Sequence, residues 1–167
     1  TFVSKFINYE TSPPTDPDFY NHPITALGWQ TERWFQICSE TVGGFFKHTY
    51  GKDPIRINAL YGGNPATDPW STATNTSTVL NYFGPNGLGY IPASPTDLGG
   101  WSGGSSADVN NAINNGAFIL QHRDHGNSTG WGEPSYNSNN INGLTNTNLS
   151  FIFSINCLTG KFNNAGE

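Results

Sequence analysis

Two short apolar runs near the C-terminal end constrain this chain most. Ala117-Phe118-Ile119-Leu120 leads through Gln121-His122 into Arg123-Asp124-His125-Gly126, and Leu149 to Ile155 leads into Asn156-Cys157. Continuous apolar runs of this length, bounded by turn residues, read as buried strands. If the two strands are parallel neighbours, both end at one edge of the sheet. That edge, outside the carboxyl ends of the strands, is where open α/β sheets place their sites. A histidine and a cysteine would meet there.

The rest of the chain supplies the partners of such a sheet. Ile24 to Trp29 is a short apolar run ending in Gln30-Thr31-Glu32, and Ile55 to Tyr61 alternates apolar and polar before Gly62-Gly63-Asn64-Pro65. Both read as strands. Between them, Trp34, Ile37, Cys38, Val42, Phe45 and Phe46 recur at helical spacing, which predicts a helix with that face buried. Thr31 is placed to cap it, Glu32 suits its N-terminal dipole, and Gly51 with Pro54 stops it. Gly43-Gly44 inside it points to close packing on a sheet or to a shorter helix. A second, shorter helix is expected over Asp108 to Asn115, capped by Ser105 or Ser106, with Val109, Ala112 and Ile113 inward and Gly116 at its end. Thr1 to Tyr9 reads as an edge strand or an extended lead-in, and Thr11 to Pro23, with four prolines, as a loop. Residues 65–102 form a long Gly/Pro/Thr/Ser-rich loop region with a short helix around Ser77 to Phe83. Strands alternating with helices predict an α/β fold with a mainly parallel sheet.

Composition narrows the class. The 167 residues suffice for one domain with a real core, and only 11% are charged, against about 25% in an average domain. Asn, Thr, Ser, Gly and Pro replace the missing charge, which favours a secreted or periplasmic protein. A net charge of −5 with seven basic residues argues against a nucleic-acid surface. No stretch approaches the roughly 20 apolar residues of a membrane helix. The opening TFVSKFINYE is not a signal peptide, so a leader was removed or these residues lie inside a longer chain. Two cysteines, Cys38 and Cys157, make no disulfide framework. On the predicted helix face Cys38 is expected as a buried free thiol.

The chemistry open to a His–Cys edge is nucleophilic. A thiol attacks a carbonyl as thiolate, an adjacent imidazole takes its proton, and the imidazole later protonates the leaving amine. Backbone N–H groups must hold the oxyanion. Gly126 can bring its N–H close to a substrate because it lacks a side chain, and the N–H of Cys157 is the natural second donor.

These residues match a known pattern. His125-Gly126-Asn127-Ser128-Thr129-Gly130-Trp131-Gly132 resembles the HG-S-x-T-x-W-G stretch of the gingipain-like cysteine peptidases, in the caspase- and legumain-like group. Leu144-Thr145-Asn146, then Phe151 to Cys157, then Gly160-Lys161-Phe162 extend the resemblance. It is strongest from Ser106 to Lys161, and includes Lys5 to Glu10 and the helix after Glu32. The resemblance implies a caspase-like three-layer α/β sandwich and a cysteine endopeptidase of protein or peptide substrates, bacterial and secreted or cell-surface. It implies no cofactor and no metal. It maps the nucleophile to Cys157, the base to His125 and the oxyanion donors to Gly126 and Cys157. The acid that orients the histidine maps to Glu32 or Asp68, and Trp131 and Asn156 to the lining of the cleft. Asp124 stands where well-known members have glycine, and the acid that confers basic specificity in those members has no match. The chain then reads as a single peptidase (sub)domain over 1–167 of a longer chain.

Plainer readings stand beside these. Cys157 is otherwise an inert strand-end thiol, and His125 a solvated loop histidine. His122 simply finishes its strand, and Trp131 either packs under the loop or lines the cleft. Glu32 is otherwise a helix-start charge, Asp68 and Asp97 turn residues, and Glu133 a solvated loop charge. A metal site from His122, Asp124, His125 and Cys157 lacks the usual ligand pairs. Two other functions remain. A non-catalytic gingipain-like module would be used for binding or processing. A carbohydrate-binding domain, suggested by abundant Asn, Gly and five tryptophans, requires an all-β fold, against which the helical face from Trp34 to Phe46 argues.

Overall fold

The computed structural model describes residues 1–32, 34–98, 101 and 103–161, with Phe2 as backbone alone. Phe162, the last residue of the resemblance, lies outside the described residues, as do Gly99, Gly100 and Ser102 of the long loop region. At its centre is a parallel sheet of four strands, β1 (Ile24–Leu27), β2 (Ile55–Asn58), β3 (Ile119–Arg123) and a strand over Phe151–Ile155, in spatial order β2, β1, β3 and then Phe151–Ile155. The chain enters through α1 (Phe2–Thr11), and α2 (Phe35–Tyr50), α3 (Thr76–Phe83) and α4 (Ser106–Asn114) fill the crossovers. After β3 comes a small antiparallel sheet of β4 (Gly126–Asn127), β5 (Gly130–Trp131) and β6 (Tyr136–Asn137), then the one-turn α5 (Ser138–Ile141). The strand Phe151–Ile155 is therefore β7. Helix, sheet and helix form the three layers of a caspase-like α/β sandwich, and an all-β carbohydrate-binding fold is ruled out.

The face toward α4 is apolar. Ile24, Ala26, Ile57 and Leu120 pack there against Val109, Ala112 and Ile113, with Tyr136 closing the cluster. Each such buried aliphatic side chain contributes about 1.5–3 kcal/mol relative to exposure. Ser105 caps α4 in a reciprocal box with Asp108, and Gly116 turns the chain into β3 with φ 100, a left-handed conformation that suits glycine.

The face toward α2 is different, and here the helical periodicity misleads. Gln36, Ser39, Glu40, Gly43 and Gly44 are the buried positions of α2 beside Phe35 and Ile37, whereas Cys38 and Val42 are only half-buried. Glu40 makes a two-pronged ion pair with Arg56 of β2, with Nη2 to Oε1 at 2.6 Å and Nε to Oε2 at 2.9 Å. A Cβ on Gly43 would lie 3.5 Å from Thr25 of β1, and one on Gly44 would overlap the Tyr90 backbone at 2.0 Å. Close approach of the Tyr90 backbone thus explains Gly44, whereas at Gly43 a Cβ would meet only ordinary van der Waals contact. Much of the apolar side of α2 is covered instead by residues between 70 and 98. Ile37, Trp70 and Ile91 form a second core with Trp34, Val79, Leu80, Phe83 and Leu98 packed on it. That region is not mere loop but a packed layer of its own.

Three local expectations are corrected. Thr1 to Tyr9 is helix, not strand: Thr1 caps it by accepting from Ser4 N–H, and Val3, Phe6 and Ile7 have helical spacing. Thr31 does not cap α2, which starts at Phe35 after Trp34. Its carbonyl instead accepts from Thr72 N–H and Ser71 Oγ, tying the residues before the helix to the 65–102 layer. Finally, β7 is not buried. It is an edge strand, with Phe151 61%, Phe153 46% and Ile155 46% exposed. No helix is long and apolar enough to cross a membrane among the described residues.

Burial raises the Glu40 carboxyl above its ordinary range, outweighing the Arg56 attraction. Arg56→Met should destabilise the fold by about 3–5 kcal/mol at neutral pH, the cost of stranding a buried charge. A raised carboxyl favours the folded state only while protonated, so urea denaturation should show the deficit shrinking as pH falls through the acid range.

Candidate functional site

The parallel register sets the site. Ala26 pairs with His122 and Leu27 with Arg123 on one side of β3, and Arg123 pairs with Ile155 on the other. Three chain ends therefore leave the sheet at one level: Gly28 to Glu32 after β1, Asp124 to Gly126 after β3, and Asn156-Cys157 after β7. His125 and Cys157 each lie two residues beyond the last paired position of adjacent strands. Both are exposed. Cys157 and the half-buried Cys38 are free thiols.

Residues around the His125 ring fix its direction. Its Nε2 lies 2.6 Å from Gln30 Oε1, and the Gln30 amide nitrogen donates a close hydrogen bond to Glu32 Oε1. The carboxylate can only accept, so the Gln30 amide group presents its oxygen to the ring. An amide oxygen accepts as well, so Nε2 carries the proton and Nδ1 is left with its lone pair. Phe35, the first residue of α2, meets the ring edge to face at 5.2 Å. Glu32 thus reaches His125 through Gln30 rather than directly. Asp68 is engaged elsewhere, accepting from Asn64 N–H at 2.7 Å and Tyr61 Oη at 3.1 Å. Among the described residues no hydrogen bond joins the His125 ring to the Cys157 thiol.

Asp124 anchors the backbone beside His125. It is 7% exposed, accepts from Glu133 N–H at 2.7 Å and from the backbone of His125, and burial raises its carboxyl. It abuts Gly28, where a Cβ would lie 2.0 Å from Asp124 Oδ1. The acid after β3 in this position therefore requires a glycine after β1. Gly126 is also tightly confined: a Cβ there would come 2.8 Å from Asn156 Cγ. The Cys157 turn includes Leu158 at φ 63, a left-handed conformation costing roughly 1–2 kcal/mol for a residue with a side chain. Thr159 N–H to Cys157 carbonyl at 2.9 Å helps hold it.

His122 does more than finish β3. Fully buried, it stacks on Trp131 with ring centres 4.0 Å apart and planes at 6°. Its Nδ1 accepts from Asn156 Nδ2 at 2.8 Å and its Nε2 donates to the Glu133 carbonyl at 3.1 Å. Trp131 also donates to Ser154 Oγ at 2.7 Å, so it packs under the loop and borders a cleft of about 390 Å³ with Thr129, Ile141, Ile152 and Thr159. Among the described residues no group of three or more His, Cys, Asp or Glu is placed to hold a metal ion. Sequence reasoning left Gln30, Phe35 and His122 without roles. Gln30 after the apolar run Ile24 to Trp29 was the one signal available, since its polar side chain comes three residues after β1, at the shared edge.

The sequence profile of Peptidase family C25 matches residues 1–167. Gingipain R2 of Porphyromonas gingivalis (strain ATCC 33277) is 34% identical over 56 residues, which are 33% of this chain and 8% of that protein. Gingipain R1 of Porphyromonas gingivalis is 34% identical over 56 residues, 33% of this chain and 6% of that protein. The matched stretch thus spans under a tenth of either relative. No solved structure matches the chain significantly.

Desolvation lowers the His122 imidazole from 6.5 to about 4, helped by Arg123 and opposed by the Glu133 hydrogen bond. A depressed base leaves the folded state with fewer bound protons than the unfolded one. Its stabilisation is complete above about pH 6.5 and is lost as pH falls toward 4, by roughly 3 kcal/mol. Glu40 and Asp124 titrate in the opposite sense in wild type and variant alike. Chemical denaturation across this range should therefore show the acid-side loss in wild type minus His122→Phe.

Proposed function

The chain belongs to Peptidase family C25, and on that premise we propose that it carries the catalytic dyad of a secreted or cell-surface cysteine endopeptidase. The observation that supports this most is the register that brings His125 and Cys157 out at one level from adjacent parallel strands. In this reading Cys157 is the nucleophile. His125, its Nε2–H held by Gln30, accepts the thiol proton at Nδ1. The thiolate adds to the peptide carbonyl, and the N–H groups of Gly126 and Cys157 receive the oxyanion. The protonated imidazole then gives its proton to the departing amine, leaving a thioester. His125 next removes a proton from water, which attacks the thioester and frees Cys157.

Gln30 takes the orienting place, with Glu32 behind it. An amide that accepts from Nε2–H fixes the tautomer and ring plane without adding a charge next to the imidazole. Trp131 and the cleft beside β5 are assigned to substrate, whereas Asn156, whose amide is engaged by His122, Ser154 and Thr159 and does not line that cleft, is assigned to the support of the Cys157 turn. Protein or peptide substrates and an extracellular location follow from the family reading. Neither a nucleic-acid partner nor a cofactor enters the proposed chemistry.

A second reading, a non-catalytic module for binding or processing, draws on the absence of a hydrogen bond between His125 and Cys157 among the described residues. Hydrogen bonds of catalytic pairs are often long without substrate, so the first reading is preferred. The two separate in a mixed peptide library incubated with the full-length protein. Cleavage that disappears in Cys157→Ala supports the peptidase, and wild-type protein that cleaves nothing supports the module. For Gln30→Ala the expected outcome is a fall in kcat of about 10-fold or more with KM little changed, because only the ring's alignment is lost.

A further inference from the structure

One buried group remains unused by the proposed chemistry. His122 points away from His125, into the apolar side of the sheet, yet both of its ring nitrogens are bonded to loops of the site. The Asn156 amide that it meets is fully engaged. Nδ2 donates to His122 Nδ1 at 2.8 Å and to Ser154 Oγ at 3.2 Å, and Oδ1 accepts from Thr159 Oγ1 at 2.5 Å. Asn156 immediately precedes Cys157, and Thr159 lies just after it. The same Asn156 side chain occupies the space that a Cβ at Gly126 would need. One imidazole therefore braces, through one amide, the two backbone segments whose N–H groups flank the nucleophile.

We propose that His122 is a positioning residue for the oxyanion donors, acting through Asn156 to hold the strained Cys157–Leu158 turn against Gly126. This rests on the peptidase reading above. Trp131 stacking fixes the plane of the His122 ring, and the Glu133 carbonyl takes its Nε2–H, so Nδ1 must accept. A neutral imidazole in this tautomer can be replaced in kind by an amide side chain, which also offers one acceptor and one donor, but not by phenylalanine. His125 takes its orientation from Gln30, on the opposite flank, so the direction of its ring does not depend on this brace.

The test compares wild type, His122→Phe, His122→Gln, Asn156→Ala and the His122→Phe/Asn156→Ala double variant in the full-length protein. Two quantities are measured: kcat and KM on a peptide amide, and the rate of Cys157 alkylation by iodoacetamide, assigned by peptide mapping. Alkylation needs the thiolate but no oxyanion donor. The expected result is that His122→Phe and Asn156→Ala each lower kcat by about 10–100-fold, the range for misplaced catalytic groups. KM and alkylation should stay within about twofold, the double variant should be no worse than either single, and His122→Gln should recover most of the loss. Asn156 is only half-buried, so its variant carries the test even if His122→Phe fails to fold. Unchanged kcat, additive losses, or alkylation falling in step with kcat would overturn the inference alone. A wild type that cleaves no peptide would remove the peptidase reading and this inference with it.

Discussion

Parallel pairing of β3 with β1 on one side and β7 on the other is the constraint on which the site depends. Register in a parallel pair fixes which residues leave the sheet together, and a slip of one residue would turn every side chain to the opposite face. With Arg123 opposite both Leu27 and Ile155, Gln30, His125 and Cys157 emerge within a few residues of one another. The loops then need only local devices. Asp124 accepts two backbone N–H groups, Gly28 makes room for it, and Asn156 fills the space that Gly126 leaves.

The sheet is held from two chemically unlike sides. Toward α4 the packing is aliphatic, with Ile24, Ala26, Ile57 and Leu120 in one cluster. Toward α2 it is polar, with Glu40 paired to Arg56 and Thr25 and Gln121 buried alongside. A buried ion pair adds little net stability compared with apolar packing, but losing one partner is costly. It therefore penalises other positions of α2 on the sheet more than it strengthens the observed one. Since α2 begins with Phe35, which supports the His125 ring, the placement of that helix bears on the geometry of the site.

Much of this was legible in the sequence. Three short apolar runs and one alternating stretch marked the strands, the cap offered by Ser105 or Ser106 marked α4, and His125-Gly126 with Asn156-Cys157 marked the edge. What was not legible has identifiable causes. Periodicity counts apolar residues, so it marked the Trp34–Phe46 stripe as a buried face without showing that Trp34 and Ile37 would pack with Trp70 and Ile91, or that the buried Glu40 would face Arg56. A continuous apolar run cannot reveal that β7 stands at an edge, because burial depends on neighbours rather than on the run itself. Glu32 was legible as an acid near the histidine, but the intervening Gln30 amide is a tertiary contact across 95 positions of sequence separation. His122 looked like a strand-end residue because nothing local announces that Asn156, 34 positions later, will bond to it.

The proposed chemistry stands on Cys157 as a nucleophile activated by His125. Incubating the full-length protein with a panel of peptidyl acyloxymethyl ketones and mapping the modified peptide tests it most directly. A thiolate displaces the carboxylate of such a reagent to form a thioether, so the label records the nucleophile itself. Label is expected on Cys157, with a rate at least about 100-fold lower in His125→Ala, the usual scale of a positioned base. Label on Cys38 instead, or labelling of His125→Ala at the wild-type rate, would contradict it.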